Sequence, residues 1–137
     1  MQVTSDALKQ LQLLSEQGGR YRTHAYLFVL TGLDYTLRRL YRHKAREAVE
    51  RHVTGQELCW GLRDLALLEW GRLARVVLAH MSIRRTHDFG KIVYSMIENH
   101  LMQRRNEDSV EDFKDVFEFV EALDRGYRIE IPEPKKE

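Results

Sequence analysis

Apolar residues recur at intervals of three and four along most of the chain, which is the spacing of one buried face of an α-helix. Runs of polar residues and single glycines separate the stretches that have this pattern. The pattern predicts five helices: 4–17, a second that begins after Tyr21 and runs to Arg46 or His52, 54–71, 72–80, and Thr86 to Leu101. We therefore expect a mainly α fold of about five helices.

Two boundaries carry their own local signals. The run Thr54-Gly55-Gln56-Glu57 has the form of a capping box, in which the threonine and glutamate side chains each bond a free backbone amide of the first turn. Gly71 is well suited to end the helix that begins there. Both prolines, Pro132 and Pro134, lie in the last six residues, so no proline interrupts the helical part of the chain.

The pattern changes after Leu101. A short extended piece, a polar turn and the alternation of Phe113, Phe117 and Phe119 predict a small β-hairpin near 102–119. The same phenylalanines would also fit an amphipathic helix, so 110–124 remains open between strand and helix. Helix, turn, helix and hairpin is the order of elements in a winged helix, and a winged-helix-like arrangement is therefore one form of the fold that we consider.

Length and composition agree with one soluble domain. The chain has 137 residues, of which 43% are hydrophobic and 31% charged. We expect a single globular domain over 1–131 and a solvated tail over 132–137. No apolar run is long enough for a transmembrane helix, and the first 17 residues lack the features of a secretory signal. The expectation is a cytoplasmic protein without a membrane partner.

The net charge of +1 conceals an uneven distribution. Residues 1–105 hold 17 Lys/Arg and 10 Asp/Glu, whereas residues 106–137 hold 5 Lys/Arg and 11 Asp/Glu. A basic body (1–105) joined to an acidic C-terminal third (106–137) is compatible with a polyanionic partner. It also allows the two regions to neutralise each other, within one chain or between two.

The basic charge is densest over 38–51, where the net charge is +4. Tyr35 and Tyr41 lie among these charges, and arginine with interleaved tyrosine can hold phosphates and stack on bases. The candidate nucleic-acid-binding residues are Arg38, Arg39, Arg42, Lys44 and Arg46. We expect a non-enzymatic binding protein that contacts RNA, with the ribosome as one setting. The alternatives are a solvated helix face, and a protein-interaction or self-assembling module that uses the basic and acidic surfaces.

Other chemistry has weaker support. Cys59, the only cysteine, lies between Leu58 and Trp60 and is most simply a core residue. No histidine pair has the spacing of a metalloprotease, no glycine-rich phosphate loop is present, and we assign no metal, cofactor or catalytic residue. The predicted wing is acidic, which argues against ordinary DNA binding. An enzyme site around His24, Glu57 and His87 is the weakest of the alternatives.

An ordered set of short motifs resembles a small family of uncharacterised bacterial proteins, one of them from a Methylacidiphilum. The motifs lie between residues 20 and 120 and are Tyr21–Leu30, His52–Leu58, Gly61–Arg63, Arg85–Tyr94, Asp108 and Asp112-Phe113. The resemblance implies a compact bacterial cytosolic protein and carries no catalytic residues. The chain has Met81-Ser82 where the family pattern implies an aromatic–glycine pair, and His100 where it implies glycine.

Overall fold

The fold is mainly helical, as the apolar spacing predicts. The computed structural model describes residues 5–18, 21–41, 52–105 and 107–126. Among these residues it has five α-helices: α1 (Ser5–Gly18), α2 (Thr23–Leu40), α3 (Gly55–Trp70), α4 (Ala74–His80) and α5 (Thr86–Glu98). The predicted continuation of α2 beyond Tyr41, and the predicted tail over 132–137, lie outside the described residues. None of the described helices is long and apolar enough to cross a bilayer.

The boundaries of α3 follow their local signals. The Glu57 backbone N–H donates to Thr54 Oγ1, and the Thr54 N–H donates to Glu57 Oε1, both at 3.1 Å. Two otherwise free backbone donors of the first turn are satisfied in this way, which confirms the capping box. At the other end Gly71 has a φ of 53°, a left-handed conformation that glycine adopts without steric cost.

Helices α2 and α3 cross at close range around Gly61. A Cβ atom at Gly61 would lie only 1.8 Å from Thr36 Oγ1, so this approach requires glycine. The Thr36 hydroxyl is buried and donates to the Gly32 carbonyl at 2.6 Å. One turn further along each helix lie Arg39 and Asp64, and the close crossing brings these two side chains together.

The predicted β-hairpin near 102–119 is wrong, and with it the wing of a winged helix. The described residues of this segment contain no strand. Val110–Phe113 forms a 3₁₀ turn, and the chain then reaches a single π-helical turn over Val120–Arg125, so 110–124 is neither a strand nor a continuous helix.

The reason is a tertiary competitor for the backbone bonds of this segment. The buried Thr86 hydroxyl donates to the Phe113 carbonyl at 2.6 Å and accepts from the Val116 N–H at 3.1 Å. Backbone groups that a hairpin would pair across its two strands are therefore bonded to the first residue of α5.

The Phe113 ring fills the space between the starts of α3 and α5. A Cβ atom at Gly90 would lie 2.7 Å from the Phe113 Cβ, so the ring occupies space that any larger residue would need. Phe113 is 4% exposed. Phe119 is buried at a different place, where it packs against Phe89 at a centroid distance of 5.8 Å. The phenylalanine spacing therefore resembles that of a strand although each ring is buried separately.

A buried carboxylate connects the start of α5 to the start of α2. Asp88 is 1% exposed, and its Oδ1 accepts from the Tyr21 hydroxyl at 2.6 Å. Its Oδ2 accepts from the backbone N–H groups of Arg84 and Arg85 at 2.9 and 3.2 Å. These bonds offset the cost of removing a charge from water, so Asp88 serves to position α5.

Three turns of the described chain have a residue other than glycine in a backbone conformation that favours glycine, and one of these residues is Asp115, with a φ of 50°. Ser82, between α4 and α5, has a φ of 64°, and His100, after α5, has a φ of 61°. These are the positions at which the family pattern implies glycine. The turns therefore keep the left-handed conformation with a side chain present, at some cost in steric strain.

Candidate functional site

The structure describes two of the five predicted nucleic-acid-binding residues. Arg38 and Arg39 lie in the last turn of α2, with side chains 80% and 52% exposed. Both point to solvent from a helix C-terminus, where positive charge is favoured by the helix dipole. Arg42, Lys44 and Arg46 lie outside the described residues.

Both described arginines have carboxylate neighbours in the helical body. Arg38 Nε lies 3.0 Å from Asp34 Oδ2, one turn earlier on α2. Arg39 Nη1 donates to Asp64 Oδ2 of α3 at 2.6 Å, and this bond is the largest contribution that raises the pKa of Arg39. Neither partner belongs to the acidic C-terminal third.

The carboxylates of the acidic C-terminal third have other partners. Asp124 accepts from Arg75 Nε of α4 at 2.8 Å. Asp108 Oδ1 lies 3.0 Å from His52 Nε2, before the start of α3. Among the described residues, no carboxylate of the acidic segment pairs with Arg38 or Arg39, although Phe117 and Ala122 of this segment contact Trp60 and Arg63 beside them.

Aromatic rings lie beside this arginine pair. The Arg39 guanidinium carbon lies 5.3 Å from the centre of the Tyr35 ring. Across a groove of about 310 Å³ stands Trp60 of α3, which is 43% exposed. The Trp60 ring packs on Phe117 at a centroid distance of 4.7 Å, so the exposed indole is held from behind.

Arg63 completes the group. Its guanidinium carbon lies 5.1 Å from the centre of the Trp60 ring, and its Nε lies 2.7 Å from Asp64 Oδ1 in an ion pair that lacks the alignment of a hydrogen bond. We call the surface formed by these side chains the arginine–tryptophan face: Tyr35, Arg38, Arg39, Trp60, Arg63 and Asp64. It presents arginines beside carboxylates and one exposed ring, and Glu57 also lines the groove. The arginines and the ring together suit a ligand with both negative charge and flat surfaces.

Trp60 and Arg63 were not predicted as site residues. Trp60 does lie off the leucine stripe of α3, which is a signal of exposure. However, nothing along the chain shows that it faces the end of α2, because that depends on the crossing at Gly61.

The residues of the weakest alternative do not form a site. Glu57 is engaged in the capping box of α3, while His24 lies in a separate groove with Trp70 and His80. His87, near the start of α5, has a buried Nδ1 that finds no hydrogen-bond partner among the described residues. Cys59 is fully buried, and burial raises the pKa of its thiol to about 12, so it belongs to the core.

In the described parts of the chain, no group of three or more histidine, cysteine or acidic side chains is arranged to hold a metal ion. No protein-family model, curated protein or solved structure matches the chain. The family resemblance therefore stays a prediction.

Proposed function

We propose that the protein is a non-enzymatic binding protein that holds single-stranded RNA, free or in the ribosome, on the arginine–tryptophan face. The observation that carries the proposal is the position of the exposed arginines Arg38 and Arg39 beside the half-exposed ring of Trp60. A cytoplasmic location is part of this proposal. The predicted residues Arg42, Lys44 and Arg46 follow directly along the chain and add positive charge.

The chemistry of the face suits a single strand better than a duplex. Arginine forms bidentate bonds to phosphate oxygens, and an exposed indole stacks on a base of any identity. A base must be unstacked to reach such a ring, which a single strand permits at low cost. The recognition expected is therefore weakly dependent on base sequence.

Asp34 and Asp64 set the strength of this binding. Each holds an arginine that a phosphate would compete for, at separations of 3.0 and 2.6 Å. Exposed ion pairs of this kind contribute only about 0–1 kcal/mol, so a phosphate can replace the carboxylate. We expect moderate affinity with a strong dependence on salt.

The test is fluorescence anisotropy with a labelled, mixed-sequence single-stranded RNA at several salt concentrations. For a single strand, log K falls with log salt by about 0.7 for each phosphate neutralised. The double variant Arg38→Ala/Arg39→Ala should weaken binding and reduce the slope by about 1.4. The triple variant that adds Arg42→Ala should reduce both further.

A matched control removes the same charge elsewhere. Arg84 and Arg85 are also adjacent and exposed, but they precede α5. The variant Arg84→Ala/Arg85→Ala keeps the backbone N–H groups that Asp88 accepts from, and it should leave the slope almost unchanged. If both double variants bind RNA as wild type does, or lose affinity equally, the proposal is wrong.

One observation favours the second candidate, a protein-interaction or self-assembling module. Leu68, Leu73 and Val76 are 70%, 63% and 48% exposed, and they lie close along the chain where α3 turns into α4. Exposed apolar groups of this size often mark contacts with protein. Light scattering at low and high salt tests it: a monomer in both conditions removes self-assembly, and loss of an oligomer in Leu73→Glu supports it.

A further inference from the structure

A cavity of about 160 Å³ lies away from the arginine–tryptophan face, where α2, α3, α5 and the 102–113 segment meet. Much of its lining is apolar and comes from Leu33, Leu37, Leu58, Val93, Ile97 and Phe113. The polar lining includes His52, Tyr94, Arg104, Asp108 and Asp112. An apolar chamber with a few convergent polar groups is the usual form of a small-molecule site.

The Tyr94 hydroxyl is the group in this cavity that lacks a partner. Its oxygen is buried, and it has no hydrogen-bond partner among the described residues. Burial is the main cause that raises the pKa of Tyr94, and the charges of Asp108 and Asp112 add to it. The nearby Arg104 lowers the pKa, without forming a well-aligned bond. The hydroxyl therefore stays protonated at neutral pH and can donate a hydrogen bond to a ligand.

The carboxylates around it already have donors. Asp108 Oδ1 faces His52 Nε2 at 3.0 Å, and its Oδ2 accepts from the Arg105 N–H at 2.8 Å. Asp112 Oδ2 accepts from the Ser109 N–H at 3.0 Å. These bonds fix the wall of the cavity. The carboxylate oxygens already accept hydrogen bonds and do not need the Tyr94 hydroxyl as a further donor.

Arg104 adds a positive charge to the same lining. Its Nη1 donates to the Asp108 carbonyl at 2.8 Å, which fixes the guanidinium while using one of five N–H donors. Tyr94 and Arg104 together thus offer donors beside an apolar chamber. A ligand with an oxygen acceptor, preferably an anionic one, would accept hydrogen bonds from these two donors.

We propose that this cavity binds a small organic acid, with one carboxylate attached to an apolar body about the size of benzene. The apolar body occupies the chamber lined by α2, α3 and α5, and the carboxylate accepts from the Tyr94 hydroxyl and the Arg104 guanidinium. The volume agrees, since an engineered apolar cavity of about 150 Å³ binds benzene. This proposal is independent of RNA binding.

The test uses benzoate and hexanoate as probes, with benzyl alcohol as the neutral counterpart of benzoate. Titration of the full chain, followed by calorimetry or by NMR shifts, should give a Kd of about 1 mM or lower for at least one acid. Benzyl alcohol should bind about tenfold more weakly than benzoate. No binding of either acid at several times that concentration, or equal binding of the alcohol and benzoate, overturns the proposal.

Three variants locate the site. Tyr94→Phe should weaken benzoate about fivefold while keeping or raising the melting temperature, because it removes an unsatisfied buried hydroxyl. Arg104→Gln should weaken benzoate about tenfold and leave benzyl alcohol unchanged. Arg105→Gln removes the same charge from the next residue, which does not line the cavity, and should have little effect. Equal losses in the two arginine variants would assign the effect to overall charge and refute the site.

Discussion

Phe113 and Phe117 are four residues apart, yet they have different roles. Phe113 is enclosed between α3 and α5, and its carbonyl is bonded to Thr86. Phe117 is half-buried and packs behind Trp60, which remains 43% exposed. The first ring holds the segment to the core, and the second supports a surface ring that contributes little to burial. An exposed indole that is supported by a neighbouring ring is suited to stack on a base.

The largest expected effect comes from Phe113→Ala. Removing a buried phenylalanine costs about 3–5 kcal/mol, because the surrounding helices cannot close the cavity. Phe117→Ala should cost about half as much, since that ring is only half-buried. Urea unfolding followed by circular dichroism measures both. Equal losses would mean that the two ends of the segment are anchored alike.

Thr86→Val tests the hydrogen bonds that replace the hairpin. The substitution keeps the shape but leaves the Phe113 carbonyl and the Val116 N–H without their shared partner, at a cost of about 1–3 kcal/mol. Thr31→Val is the matched control, because the exposed Thr31 hydroxyl bonds only the Leu27 carbonyl of its own helix. That change should stay within about 0.5 kcal/mol. A neutral Thr86→Val would show that these bonds do not determine the segment.

Trp60→Leu should separate stability from binding. Loss of the contact with Phe117 costs about 1 kcal/mol of folding stability. RNA affinity should fall by about 1–3 kcal/mol, because a stacked base loses its support. Trp60→Tyr retains a ring and should recover most of the affinity. Loss of stability without loss of affinity would make Trp60 a packing residue only.

The smallest effect on stability is expected for Asp64→Asn. This side chain joins Arg39 and Arg63 near the surface, and pairs of that exposure contribute about 0.5 kcal/mol or less. RNA binding should become tighter, since Arg39 is released for phosphate. Arg63 stays packed over the Trp60 ring and bonded to the Ala122 carbonyl. Weaker binding would indicate that the Asp64 carboxylate positions the arginines for RNA and does not compete with phosphate for them.

The apolar spacing alone predicts much of the helical architecture. The start of α3 was predicted at Thr54 because a capping box uses residues only three apart, and its end at Gly71 because glycine favours a left-handed turn. The predicted arginines of α2 are exposed, as their position off the leucine stripe indicates. Local patterns of this kind are reliable when the interaction that produces them is also local.

The segment after Leu101 could not be predicted in the same way. Its phenylalanines have a spacing that suits a strand, but Phe113 fits between the starts of α3 and α5, and Thr86 bonds the backbone from 27 and 30 residues away. The cavity at Tyr94 depends equally on distant segments. Spacing along the chain carries no information on such partners.

The sequence by itself determined which stretches before Leu101 are helices, where α3 begins and ends, and that basic and acidic charges occupy different parts of the chain. Only the tertiary structure decided which charges meet. Arg39 pairs with Asp64, 25 residues away, because Gly61 lets α2 and α3 approach closely. Helix formation follows from contacts one turn apart, whereas a site depends on which helix faces cross. That crossing is selected by the shape of the whole core.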